Sequence, residues 1–141
     1  EYLAAHPDVI SVNYAGLPSS PWHELGKKLA PKGTGAVLAF ELEGGIDAGK
    51  AFVNALTLHS HVANIGDVRS LVIHPASTTH QQLSHEEQLA SGVTPGLVRL
   101  AVGIEGIDDI IADLDQGFAA AGAARDRSAS TSTDPHTVAS F

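Results

Sequence analysis

Between residues 97 and 118 the hydrophobic period changes once, from two to about three and a half, and no other feature constrains the fold as strongly. In Leu97-Val98-Arg99-Leu100-Ala101-Val102-Gly103-Ile104, the residues Val98, Leu100, Val102 and Ile104 fall on one face of an extended strand. Leu97, Arg99, Ala101 and Gly103 fall on the other. Immediately afterwards Ile107, Ile110, Ile111, Leu114 and Phe118 recur at helical spacing. Asp108, Asp109 and Asp113 enrich the N-terminal part of that helix, where its dipole favours acids, and Gly122 reads as its terminator. A strand and a helix that each carry one apolar stripe bury them together. The expectation is therefore an α/β or α+β domain, a small mixed or antiparallel sheet with helices on one face.

The preceding segments fit this plan. Glu1-Tyr2-Leu3-Ala4-Ala5 reads as the last turns of a helix ended by His6-Pro7, which suggests a piece of a longer protein. Val9-Ile10-Ser11-Val12-Asn13-Tyr14 reads as a β-branched strand. Ser20-Pro21 opens a helix over about 22–29, and 35–42 forms the next strand. Asp47 is placed to cap a helix near 48–56 with Phe52, Val53 and Leu56 on one side. Residues 62–65 are ambiguous, and Ser70-Leu71-Val72-Ile73 is a strand stopped by His74-Pro75. The polar stretch 76–95 holds one helical turn near 86–89. Four or five strands result, in an order the sequence does not give. Residues 1–124 make one domain, and the Ser/Thr-rich residues 125–141 are expected to be a mobile tail in which Val138 and Phe141 could dock.

Composition removes several functions. A net charge of −8 lacks the electrostatic footprint of a nucleic-acid binder. The absence of Cys excludes disulfides, thiolate zinc sites and thiol catalysis. No apolar run approaches a membrane span and no secretory leader pattern is present, so a cytoplasmic location is expected.

Arg99 is the first candidate for chemistry. Flanked on its face by Ala101 and Gly103, its guanidinium has room either to meet a carboxylate with two hydrogen bonds or to stand as a solvated charge. His59, His61, His74, His80 and His85 raise the question of a metal. No carboxylate stands at a matching spacing and there is no HExxH, so no metal is expected and loop or surface histidines are the default. In Ser77-Thr78-Thr79-His80 the hydroxyls are expected to satisfy loop backbone rather than act as nucleophiles. Gly33-Thr34-Gly35 is too short for a phosphate cradle, and Asn64-Ile65-Gly66-Asp67 reads as a turn whose amide either contacts a ligand or caps the chain.

Four stretches occur in a telling order: Tyr14-Ala15-Gly16-Leu17, Gly35-Ala36-Val37-Leu38-Ala39-Phe40-Glu41-Leu42, Ser70-Leu71-Val72-Ile73-His74-Pro75-Ala76-Ser77-Thr78-Thr79-His80, and Gly92-Val93-Thr94-Pro95-Gly96-Leu97-Val98-Arg99-Leu100-Ala101-Val102-Gly103-Ile104-Glu105. Over about residues 1–121 the chain resembles the C-terminal domain of the pyridoxal-phosphate (PLP) enzymes of Cys/Met metabolism, a fold-type I family. His61-Val62-Ala63-Asn64-Ile65-Gly66-Asp67 and Thr79-His80-Gln81-Gln82-Leu83 are most similar to the O-acetylhomoserine sulfhydrylase branch. The resemblance implies that Arg99 grips the substrate α-carboxylate, that Asn64 helps seat it, and that Ala63 shapes the pocket. It implies an intact homotetramer that carries pyridoxal 5′-phosphate and converts O-acetyl-L-homoserine and sulfide to homocysteine and acetate in methionine biosynthesis.

Two departures are mild: Ala101 stands where the family has Ser, and Gly106 where it has an acidic helix cap. None of Lys27, Lys28, Lys32 and Lys50 has the family's Ser-x-x-Lys setting. The cofactor lysine is therefore expected in an N-terminal domain, with this chain alone inactive and without catalytic or cofactor-binding residues. Cystathionine γ-synthase and methionine γ-lyase remain alternatives within the family, and a stand-alone amino-acid-binding module outside it.

Overall fold

Five strands pair into one mixed sheet in a computed structural model that describes residues 1–131. They are β1 (Val9–Asn13), β2 (Val37–Leu42), β3 (Ser60–His61), β4 (Leu71–Ile73) and β5 (Leu97–Ala101). Their order is β1-β2-β5-β4-β3, antiparallel throughout except for the parallel pair β3/β4. The helices are α1 (Tyr2–Ala5), α2 (His23–Leu29), α3 (Gly45–Ala55), α4 (His85–Ala90) and α5 (Ile107–Thr131), with a short 3-10 turn at Pro75–Ser77. The mixed sheet with helices matches the expected architecture, and β5, the most regular strand of the sequence, is its middle member.

Register assigns the two faces. Phe40 pairs with Val98, Leu38 with Leu100, and Leu100 with Val72, so these side chains share a face. The core forms there, against Ala48, Phe52 and Val53 of α3 and Ile110, Leu114, Phe118 and Ala121 of α5. Phe40, Phe52 and Phe118 meet ring to ring, with Phe52 edge-on to Phe118 at 5.0 Å and to Phe40 at 5.5 Å. Gly117 permits this approach, since a Cβ there would lie 2.8 Å from the Phe52 ring and 2.9 Å from Leu56. Ala39, Arg99 and Ile73 line up across the opposite face.

The structure corrects several boundaries. β5 ends at Ala101, where the chain turns to bond Val102 N to Ala36 O and Ile104 N to Val68 O. Ile104 and Ile107, assigned by spacing to the apolar stripe, are consequently 83% and 65% exposed. Gly122 does not end α5. The helix continues to Thr131 because Ala121 and Ala124 are buried and Arg125 reaches Asp8 (2.8 Å) and Glu43 (2.9 Å). These contacts offset the roughly 1 kcal/mol cost of an internal glycine. Residues 125–131 are thus helical rather than the start of a tail, while Val138 and Phe141 lie outside the described residues.

Three helix starts also differ. α2 begins at His23 with Trp22 as an N-cap that makes no side-chain capping bond, and the Ser20 hydroxyl expected to open the helix instead accepts from Trp22 N (3.2 Å). α3 begins at Gly45 with Gly44 as its N-cap, which leaves Asp47 in the first turn as a dipole partner rather than the cap. α4 opens with a capping box, Ser84 accepting from Glu87 N while the Glu87 carboxylate accepts from Ser84 N. That Ser-x-x-Glu signal is present in the sequence.

Candidate substrate-carboxylate site

Arg99 occupies the middle of the central strand, on the face turned away from α3 and α5. Its register neighbours there are Ala39 and Ile73, and the small Ala39 leaves space beside the guanidinium. Nη2 donates to the main-chain carbonyls of Ala63 (3.0 Å) and Asn64 (3.2 Å). Nε is buried and has no hydrogen-bond partner, and Arg99 forms no ion pair among the described residues. The acid on the same face, Glu41, is already engaged: its carboxylate accepts from Gly96 N (3.1 Å) and from Thr94 Oγ1. Two carbonyls therefore orient the fork without neutralising it, and the Nη1 side remains for an incoming anion.

The loop 62–69 that supplies those carbonyls carries Ala63 and Asn64 exposed at its outer part. The fold brings Arg99, Ala63 and Asn64 together, although through backbone oxygens. The Asn64 carboxamide makes no hydrogen bond among the described residues and faces solvent.

Both stems of the loop are held by carboxylates. On the entry side Asp113 of α5 accepts from Thr57 N (2.7 Å), Thr57 Oγ1 (3.1 Å), His59 N (3.0 Å) and His59 Nδ1 (2.7 Å). Burial alone would raise the Asp113 pKa, but the hydrogen bonds from His59, Thr57 and the Leu58 backbone outweigh it and hold the carboxyl well below the usual range. On the exit side Glu105 accepts from Ser70 N (2.7 Å) and Ser70 Oγ (2.8 Å), and the same hydroxyl accepts from Gly103 N (2.9 Å). The Ser70 backbone N–H chiefly lowers the Glu105 pKa.

By position in the sequence Asp113 is only one of the dipole-favouring acids of α5, and its role as anchor is not evident from that. The signal was available: Asp113 falls between Ile110 and Leu114 on the buried stripe, where an acid requires partners.

The histidine default also needs correction. His59 and His74 are 4% and 0% exposed, not surface residues. His74 Nε2 donates to Pro95 O (2.7 Å) and Nδ1 lies 2.7 Å from Ser77 Oγ, an arrangement that the neutral Nε2–H tautomer satisfies. Burial pushes its pKa down, consistent with that form. Thr78 Oγ1 donates to His74 O (2.8 Å), so the hydroxyls of this segment are taken up locally, partly by the ring. No group of three His, Cys, Asp or Glu side chains among the described residues is arranged to hold a metal. No described helix is long and apolar enough to cross a membrane.

A sequence pattern described as Cys/Met metabolism PLP-dependent enzyme matches residues 1–119. The chain belongs to that family. It is 58% identical over 120 residues to O-acetyl-L-homoserine sulfhydrylase of Corynebacterium glutamicum, covering 85% of this chain and 28% of that protein. It is 50% identical over 118 residues to L-methionine gamma-lyase of Fusobacterium nucleatum, covering 84% and 30%. Among solved structures, a putative O-acetylhomoserine (thiol)-lyase from Campylobacter jejuni, crystallised with a pyridoxyl-lysine phosphate, superposes with TM-score 0.76 and 41% identity, covering 84% of this chain and 28% of that one. Cystathionine gamma synthase from Xanthomonas oryzae, in complex with cystathionine, gives TM-score 0.76 and 40% identity, covering 87% and 32%. The chain spans less than a third of the length of these relatives.

The family's cofactor needs a lysine in a cradle. Lys27, Lys28, Lys32 and Lys50 are all exposed, and Lys50 lies on α3, across the sheet from Arg99. The described residues of this chain do not by themselves fit a Schiff-base site.

Proposed function

We propose that this chain is the substrate-carboxylate domain of a PLP-dependent O-acetylhomoserine sulfhydrylase, in which O-acetyl-L-homoserine and sulfide give homocysteine and acetate. One observation carries the reading: an arginine at the centre of the central strand, on the face turned away from α3 and α5, aimed by two carbonyls and left without an acidic partner among the described residues. A substrate α-carboxylate supplies the missing charge, meeting the free side of the Arg99 fork. Asn64 lies next to it with its carboxamide free to donate, and Ala63 leaves the approach open. Holding the amino acid by this end fixes where its side chain lies relative to groups that act on it.

The lysine and the rest of the cofactor site come from a domain outside these residues, and the fragment alone is inactive on this reading. Apolar side chains in the loop and at the exit from β5 support such a partner surface, with Ile65 at 62%, Val68 at 64% and Ile104 at 83% exposure. The 58% identity to a protein named as a sulfhydrylase, against 50% to one named as a methionine gamma-lyase, supports the choice of branch.

The test is Arg99→Ala in the full-length protein that contains this chain. Removing two charge-assisted hydrogen bonds lowers kcat/KM for O-acetyl-L-homoserine by about 100-fold, with the KM for sulfide unchanged. An unchanged KM for the amino acid overturns the clamp. Comparing sulfide with cysteine as the nucleophile separates sulfhydrylase from cystathionine γ-synthase, and elimination from methionine separates the γ-lyase. Titrating this chain alone with O-acetyl-L-homoserine distinguishes a half-site, which stays silent, from a stand-alone binding module.

A further inference from the structure

We propose that Asp113, in the second turn of α5, is a positioning residue that sets the direction of the Arg99 guanidinium through residues 57–64, an inference that rests on the carboxylate-clamp reading. β3 is only two residues long, pairing Ser60 with Leu71 and His61 with Val72, and it forms the edge of the sheet. So short an edge strand gives little rigidity to the exposed residues beyond it. What fixes the entry stem is the buried Asp113 carboxylate, 2% exposed, which gathers four donors from Thr57 and His59 within 3.1 Å. His59 precedes Ala63 and Asn64 by four and five residues, and those are the residues whose carbonyls hold Arg99 Nη2.

The exit stem is tied separately, through Ser70 to Glu105 at the approach to α5. The two carboxylates thus fasten both ends of one loop to α5 and its lead-in, while residues 63 and 64 near the loop's start touch Arg99. Carbonyl contacts of 3.0 and 3.2 Å tolerate little displacement, so a shift at the stem reaches the guanidinium. Asp113 contacts no substrate in this arrangement. It acts through the loop.

Asp113→Asn keeps the shape but replaces one acceptor oxygen with an amide nitrogen, which opposes either the Thr57 donor pair on Oδ1 or the His59 donor pair on Oδ2. In the isotopically labelled chain, the Arg99 Nε–Hε resonance and the Ala63 and Asn64 amides should move or broaden, while the amides of β1 and β2 stay in place. In the full-length protein the KM for O-acetyl-L-homoserine should rise roughly tenfold with kcat changed less than twofold, the pattern of a misplaced binding group. Asp113→Glu should recover part of the loss.

Should Asp113→Asn fail to fold, Thr57→Val removes only the hydroxyl bond to Asp113 and should shift the same resonances by less. Arg99 and loop resonances that stay fixed in a folded variant of either kind, or equal losses in kcat and KM terms, overturn the proposal. If the resonances move but Arg99→Ala leaves the amino-acid KM untouched, the coupling stands and the clamp reading fails.

Discussion

Replacing Gly49 by Ala separates two opposed expectations for a glycine inside α3. On an exposed helix the change stabilises by about 1 kcal/mol, because glycine is the weaker helix former. Here a Cβ would lie 2.3 Å from His74 Nε2 and 2.5 Å from Cδ2. That ring is fully buried and pinned at both nitrogens, so it has no free rotamer to retreat into. Overpacking costs about 1–3 kcal/mol. Displacing the ring from Pro95 O strands a buried donor at a further cost of about 1–3 kcal/mol. Against the propensity gain, the net is a loss of about 3 kcal/mol.

Urea unfolding at pH 7.5, followed by far-UV circular dichroism, reads this as a lower midpoint at unchanged slope. In a His74→Ala background the clash is gone, and the same Gly49→Ala substitution should become neutral or stabilising. A midpoint at or above that of the unmodified chain in the His74 background would refute the packing argument.

Three further outcomes follow from the same packing. His74 has its pKa depressed by burial, so the stability it contributes is complete above the ordinary histidine value of 6.5 and is lost as pH falls from there toward its folded value. Urea midpoints should drop between pH 7.5 and 5.5, and a pH-independent midpoint would contradict the buried neutral ring. Phe118→Ala should cost about 3–5 kcal/mol, since the ring is buried against Phe52 and stacked on His6 at 3.6 Å. Ile107→Ala, on the same predicted stripe but exposed, should stay within about 0.5 kcal/mol by the same unfolding assay, and equal losses would contradict the observed placement.

Much of the architecture was legible because period follows from backbone geometry. Strand alternation put Val98 and Leu100 on one face and Arg99 on the other, and helical spacing put Ile110, Leu114 and Phe118 on the buried side of α5. Ends were read less well. Spacing carries Ile104 and Ile107 onto the stripe, but hydrogen bonds from distant segments, Val68 O among them, turn the chain out of the sheet first. Gly122 reads as a stop only while the partners of Arg125, more than eighty residues earlier, are out of view.

By itself, then, the sequence determined which side chains share a face, and so that one arginine had to leave the core on the side opposite the aliphatic stripe. That is local information, set by two dihedral angles per residue. Tertiary structure alone decided what Arg99 meets: strand order makes β5 central, the loop after β3 brings two carbonyls to Nη2, and Glu41 is drawn away by Thr94 and Gly96. It likewise turned Asp113 from a helix-start acid into the buried anchor of that loop. The partners in these contacts stand tens of residues apart. No periodicity within one segment encodes them, because they exist only once the core has closed and excluded the alternatives.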